Sequence, residues 1–171
     1  MILMLGARGK VKDLAGFLST VQGVAARFHV LLQILDAEVV YGRIHLISAY
    51  EHAARAFREG TQATNSLGLE TLLYASGECQ IQKALAKMGV KPGTKRIAVV
   101  LGADEEGVDL EQVTAEFLRL TGFVRDDAVL EGDRETLRRY GIGDPEVATV
   151  TPAKYGDLIL EKVAMVDVLK R

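Results

Sequence analysis

Residues 66–90 read SLGLETLLYASGECQIQKALAKMGV and predict two short helices separated by a glycine. Ser66 can cap the first helix, because its hydroxyl can accept a hydrogen bond from a free amide of the opening turn. Gly77 interrupts the pattern, and four apolar residues then recur at the spacing of one helix face: Ile81, Ala84, Leu85 and Met88. We expect Gly89 to end the second helix in the left-handed conformation, with Val90 folded back on Leu85.

The other faces of this second helix are polar and basic. They carry Gln80, Gln82, Lys83 and Lys87. Such a surface is either simply solvated or available to an anionic partner, and the helical pattern alone leaves both interpretations open.

Residues 43–59 predict a longer amphipathic helix with a polar side. That side is expected to carry His45, Ser48, His52 and Arg55. His45 and His52 are seven positions apart, which places them about 10.5 Å apart along a helix axis and argues against a shared metal ion. The stripe could receive sugar and phosphate oxygens, or it could be a solvated face.

The helix predicted after Thr151-Pro152 has apolar residues on every side. A small domain cannot bury such a helix all round unless a second surface covers it. We therefore expect a protein interface on or beside this helix, the alternative being complete burial in the core. The candidate interface residues are Leu160, Ala164, Met165, Val168 and Leu169.

These segments resemble the TPRKB-type subunit of the KEOPS complex, and an archaeal-type member of that family in particular. The resemblance rests on residues 36–100 and, more loosely, on the last helix. Its residues in the central segment are Ser66, Glu70, Leu72, Leu73, Ser76, Gly77, Ile81, Ala84, Leu85, Met88, Gly89 and Val90. Cys79 departs from the pattern, since archaeal-type members often have Arg there, which puts phosphate binding at this position in doubt.

The resemblance implies a non-catalytic KEOPS subunit that serves threonylcarbamoyladenosine modification of tRNA. It implies binding to the small atypical kinase/ATPase subunit, which we place on the last helix, and recruitment of tRNA through its single-stranded 3′ CCA end. The expected tRNA-binding residues are Arg43, His45, Arg55, Lys83 and Lys87. The alternative is a pure protein-interaction adaptor that regulates the kinase without contacting RNA, and Cys79 favours it.

Composition limits the choice of partners. The chain has 171 residues and a formal net charge of −2, so it lacks the broad basic surface of a protein that clamps nucleic acid along its length. Any RNA contact should be local, and we expect neither DNA binding nor a membrane span. A single cysteine, Cys79, fits a reducing cytoplasm.

The length fits one domain, and we expect residues 1–171 to form a single KEOPS-subunit-like α/β domain. Its fold class is α/β, with a small mixed β-sheet flanked by helices and strands near residues 1–5 and 96–101. Residues 28–35, FHVLLQIL, could be a strand or a helix, because so short an apolar run has no decisive period. We expect residues 37–42 to be extended and to end in a glycine turn.

No residue pattern predicts catalysis, a metal or a cofactor. Gly6, Gly9 and Lys10 do not have the spacing of a phosphate-binding loop. The acids at 104–106 are better explained as a solvated turn than as a magnesium site. The histidines lie near no recognisable nucleophile and base, so a small-molecule enzyme would rest on fold analogy alone.

Overall fold

Helices cover both faces of a four-stranded sheet in the computed structural model, which describes residues 1–170. The strands are β1 (Ile2–Arg8), β2 (Leu31–Asp36), β3 (Arg96–Gly102) and β4 (Val124–Arg125). The helices are α1 (Leu14–Phe28), α2 (Gly42–Glu59), α3 (Leu67–Ser76), α4 (Ile81–Met88), α5 (Leu110–Thr121), α6 (Arg134–Tyr140), α7 (Asp144–Val147) and α8 (Tyr155–Leu169). The predicted α/β class, with helices flanking a small sheet, is confirmed.

The sheet is antiparallel throughout, so the expectation of a mixed sheet is wrong. Its strand order is β2-β3-β1-β4, and every neighbouring pair is antiparallel. The physical reason is where β3 inserts. The crossover through α1 leaves β2 parallel to β1, but β3 lies between these two strands and runs against both.

Two apolar cores form because strand side chains alternate between the faces of the sheet. Leu5 and Val99 face a core shared with α1 and α5. Met4 and Val100 face the opposite core, which is shared with α2, α3, α4, α6 and α8. The second face carries the helices on which the candidate binding residues lie.

Local signals placed most helix ends correctly. Ser66 caps α3 by accepting a hydrogen bond from the amide of Leu69, and Gly77 ends that helix in the left-handed conformation with φ 71°. Gly89 ends α4 with φ −72°, so the expected left-handed turn is absent there. Val90 instead packs beside the core that α1 and α5 share.

The structure divides the ambiguous run at 28–35: α1 ends at Phe28, and the rest of the run leads into strand β2. Its exposure alternates, with Leu32 and Ile34 buried on the side of α1 and Gln33 half-buried on the other side. The next residues, Ala37–Val39, form one 3-10 turn rather than an extended segment, because Asp36 accepts a hydrogen bond from the amide of Glu38. Within residues 1–170, none of the helices is long and apolar enough to cross a bilayer.

Candidate partner-binding surfaces

Helix α8 buries one side and exposes the other. Leu158, Ile159, Val163 and Val166 are buried. Val168 and Leu169 keep more than half of their surface exposed, at 58% and 53%. The apolar residues that were expected all round therefore divide between core and solvent, and all five predicted interface residues are exposed or half-buried.

The exposed side of α8 continues onto the start of α2. Ile44 is 55% exposed. It lines, together with Leu160, a concavity of about 570 Å³ between the two helices. We define the α8 surface as Ile44, Leu160, Ala164, Met165, Val168 and Leu169.

Asp167 anchors the last turns of α8 to α2 and α3. Its carboxylate accepts hydrogen bonds from the Tyr74 hydroxyl at 2.5 Å and from Arg55 at 3.0 Å, and the Nδ1 atom of His52 lies 2.9 Å from it. Burial by itself would raise the pKa of Asp167, but these three partners hold that pKa below its ordinary value. The carboxylate therefore stays ionised and fixes the helix.

A second anchor joins Lys170 to the fully buried Glu70 of α3. The ammonium lies 2.5 Å from the Glu70 carboxylate, which also accepts hydrogen bonds from the backbone amides of Ala63 and Thr64 and from the Thr64 hydroxyl. The ammonium also lies 4.6 Å from the centre of the Tyr74 ring. The buried carboxylate of Glu70 therefore has both a counter-charge and hydrogen-bond donors, which a charge in a protein core requires.

His45 is buried, so its expected place on an outward polar stripe is wrong. Its Nδ1 atom accepts a hydrogen bond from the Tyr41 amide, and its Nε2 atom lies 2.8 Å from the carbonyl oxygen of Ala75. Because Nδ1 is an acceptor, the proton must be on Nε2 and is donated to Ala75. Burial lowers the pKa of His45 to about 4, which keeps the ring neutral. This histidine joins α2 to α3 and does not face a ligand.

The remaining basic candidates have different partners. Arg43 pairs with Asp127 at 2.6 Å, and Arg55 pairs with Asp167. The Lys87 ammonium lies 3.7 Å from the centre of the Tyr140 ring, and burial lowers its pKa. Lys83 is exposed, and no ion pair involves it among residues 1–170. The structure therefore does not gather these side chains into one pocket.

Sequence reasoning missed the residues that hold α8 in place. Glu70 stood out only as one residue of the family pattern, although its side chain folds back to bind the amides that precede the helix. Tyr74, Asp167 and Lys170 carry no local pattern, because their partners lie about a hundred residues away in the chain. Ile44 was also missed, although a lone isoleucine on the polar side of a helix start is a usable signal.

These features describe a small α/β protein with an exposed apolar side on its last helix. Residues 10–166 match the family model described as kinase binding protein CGI-121. The chain belongs to this family, and it is therefore a kinase-binding protein. The resemblance to TPRKB-type subunits is confirmed, whereas the archaeal type stays a prediction. A comparison with curated proteins finds no match.

Proposed function

We propose that this chain is a non-catalytic, cytoplasmic subunit of the KEOPS complex that binds the small atypical kinase through the α8 surface. The observation that carries the proposal is the exposed apolar row of α8. Leu160, Ala164 and Val168 follow one another at four-residue spacing, and Ile44 extends the row. An apolar patch of this kind on an otherwise ordinary surface is typical of a protein interface.

The anchors of α8 support the same surface. Asp167 and Lys170 tie the end of the helix to α2 and α3, so the exposed row is held in position before a partner arrives. A preorganised surface loses less conformational entropy on binding than a mobile one. We therefore expect the kinase to meet a preformed face with little rearrangement of the backbone.

Charge substitution on this row tests the kinase proposal. Val168→Glu places a carboxylate on the exposed apolar row, and we expect the affinity for the purified kinase to fall at least tenfold, measured by calorimetry. Val124→Glu is the matched control, since Val124 is similarly exposed at 54% but lies on β4. Unchanged affinity in the folded Val168→Glu variant would remove α8 from the interface.

The proposal extends to tRNA, recruited through its 3′ CCA end. The support is the resemblance to archaeal-type members together with the exposed Lys83 on α4. A single-stranded end can be bound by a few stacking and hydrogen-bonding contacts, so a net charge of −2 is compatible with it. Lys87 and the two paired arginines would have to exchange partners in order to contribute.

Titration into labelled tRNA, intact and with its CCA end removed, tests this extension at two salt concentrations. We expect binding to vanish with the trimmed tRNA. Reversing charge in Lys83→Glu and in Lys87→Glu should weaken binding to intact tRNA and flatten its salt dependence. Lys12→Glu is the control, since Lys12 is exposed before α1. Equal binding of both tRNAs would contradict recognition of the end.

A pure adaptor remains the second candidate, and the ion pairs favour it. Arg43 and Arg55 already neutralise carboxylates, and His45 is buried and neutral. A phosphate would have to compete with Asp127 and Asp167 for these arginines. If neither tRNA binds while the kinase still does, the adaptor is the function and tRNA recognition belongs to the partners.

A further inference from the structure

Strand β2 has a free edge. It is the terminal strand of the sheet and pairs only with β3. Alternate residues of a strand direct their backbone N–H and C=O groups to opposite sides, so half of these groups in β2 point away from the sheet. The side-chain amide of Gln33 donates to the carbonyl oxygen of Ile34 at 3.1 Å, so the backbone groups of Ile34 face away from the sheet. Because strand residues alternate, the backbone groups of Leu32 face the same way.

The edge carries little protection against pairing. Natural edge strands are commonly blocked by Lys, Pro or a bulge. Strand β2 reads LLQILD, without lysine or proline, and its one charge is Asp36 at the end. Its register with β3 runs unbroken from Leu31 to Asp36, so no bulge twists the edge away.

A groove of about 410 Å³ runs beside this edge. Its floor is Leu32, Gln33 and Ile34, and helices α1, α3 and α4 form its sides. Leu18 of α1 and Leu85 of α4 stand on the rims and are 39% and 42% exposed. Within residues 1–170, no lining residue is charged. The groove is therefore suited to the alternate apolar side chains of an added strand.

The two ends of β2 differ in charge. Leu31, at the start, lines a hollow together with Asp104 and Glu105. Neither acid takes part in an ion pair among the described residues 1–170. This end is negative and has charge available for a basic residue of a partner.

The other end of β2 is positive on balance. Burial raises the pKa of Asp36, and the positive charge of Lys91 offsets part of that increase. Arg96 and Arg139 both lie within ion-pair distance of Glu38, just beyond the strand. The three basic side chains outnumber the two carboxyl groups of Asp36 and Glu38, and the excess positive charge favours an acidic residue of a partner here.

We propose that the outer edge of β2 binds an extended peptide segment of a partner protein as a fifth, antiparallel strand. An antiparallel segment runs from the Asp36 end to the Leu31 end, so it carries an acidic residue first, apolar residues at alternate positions and a basic residue last. The outward backbone groups of Leu32 and the amide of Ile34 supply hydrogen bonds, and a peptide amide takes the place of the Gln33 side chain on the carbonyl oxygen of Ile34. The groove takes the apolar side chains. This surface is separate from the α8 surface.

Selection from a display library of random dodecapeptides tests the proposal. Binders are selected on the full chain and compared on the double variant Leu18→Asp/Leu85→Asp, which places carboxylates on both rims. We expect enriched peptides with the acidic, alternating apolar and basic order, and at least tenfold weaker binding to the double variant. Leu120→Asp is the matched control, since Leu120 is 46% exposed on α5, and it should bind like the parent.

N-methylation of the best synthetic peptide separates strand addition from simple apolar binding. Methyl groups on one set of alternate amides should abolish binding, whereas the other set should be tolerated, because only one edge of the added strand faces β2. Equal effects of both sets, equal binding to a folded double variant, or no enriched peptide would overturn the proposal. An RNA octanucleotide that binds the parent but not the double variant, where no peptide binds, would overturn it in favour of nucleic acid.

Discussion

At the scale of single residues, the carbonyl oxygen of Ala75 joins three helices. It lies near the end of α3, where helical carbonyls have no partner within their own helix. It accepts from the His45 ring of α2 at 2.8 Å and from the Tyr140 hydroxyl of α6 at 2.8 Å. The His45 and Tyr140 rings also meet edge to face. A neutral His45 is therefore part of the packing of α2 against α3 and α6.

His45 should make stability depend on pH. Its pKa is about 4 when folded against 6.5 ordinarily, so between these values the unfolded chain binds the extra proton. The contribution of His45 is present above pH 6.5 and is lost as the pH falls toward 4. His45→Gln removes this titration, and we expect the stability advantage of the parent to shrink by about 2 kcal/mol between pH 7 and pH 5. Urea unfolding at both pH values measures it.

The His45→Gln variant should still be less stable than the parent at pH 7. Its amide can donate to Ala75, but the Tyr41 amide loses its acceptor, at a cost of about 1–3 kcal/mol. A difference between the two proteins that does not change with pH would contradict a neutral, buried His45.

His29 ends α1 with φ 54°, a left-handed conformation that only glycine adopts without steric cost. Since its side chain is exposed, His29→Gly removes the strain and loses little packing. We expect the free energy of unfolding to rise by about 1 kcal/mol, measured by urea titration. His29→Ala keeps a Cβ and should give no such gain; equal stabilisation by Ala and Gly would exclude backbone strain as the cause.

Sequence reasoning succeeded at residues whose signal is local. Ser66 precedes an apolar helical run and caps α3 as expected, and Gly77 ends that helix. It failed at His45, because a histidine on a helix is equally compatible with solvent and with a core. The partners that settle the question, Ala75 and Tyr140, are remote in the chain and carry no pattern that points back to it.

At the scale of elements, α8 depends on a few charged contacts more than on its apolar pattern. Only one side of the helix reaches the core. The ion pair of Glu70 with Lys170 and the contacts of Asp167 fix its last turns. Half of an apolar helix can stay exposed because these contacts, and not a covering surface, hold its end.

Substitution of Glu70 tests this account. Glu70→Gln leaves Lys170 without a counter-charge, and breaking a buried pair in this way costs about 3 kcal/mol. Lys170→Met should cost less, because the carboxylate retains hydrogen bonds from Ala63 and Thr64. Urea unfolding gives both free energies, and the reverse order would contradict the account.

The matched control for Glu70 is Asp157→Ala. Asp157 pairs with Lys154 at 3.7 Å near the start of the same helix, with both side chains largely exposed. Exposed pairs contribute little, so the free energy of unfolding should change by less than about 0.5 kcal/mol. An equal loss in Asp157→Ala and Glu70→Gln would mean that α8 responds to any loss of charge rather than to the buried pair.

The bounds of the elements were easier to predict than their orientation. Helix α2 starts at Gly42, within one residue of its expected position, and α3 begins directly after its predicted cap, Ser66. The buried face of α2 consists largely of small residues, Ala49, Ala53 and Ala56, and it includes His45, which was expected on the outward side. Alanine gives a weak periodic signal even where it permits the closest helix contact.

At the scale of the whole molecule, the two proposed surfaces use different parts of the fold. The α8 surface lies on the helical layer that contains α2 and α3, whereas the groove at β2 lies at the terminal edge of the sheet. We expect the affinity of a selected peptide to be unchanged by Val168→Glu, measured by fluorescence anisotropy. Loss of both activities in this one variant, with the fold intact, would mean that the surfaces are coupled or overlap.

The fold class was predictable, because composition and the spacing of apolar residues indicate helices and strands that pack in layers. The antiparallel pairing was not, because the position of β3 between β1 and β2 depends on contacts that no local pattern encodes. Likewise the exposed row on α8 could be expected from its apolar sequence, but its anchoring to Glu70 and Tyr74 could not.

The insertion of β3 also sets an order of events during synthesis. Strand β1 is the first of the four strands to be made, yet both of its neighbours come late: Ile2 pairs with Gly102 and Arg8 with Val124. Pairings between segments so distant in the chain form slowly, because a long loop must close before any bond is gained. On the ribosome, the apolar β1 must therefore wait without a partner until β3 has been made, and a chaperone that shields short apolar strands would act on β1 longer than on any other strand of this sheet.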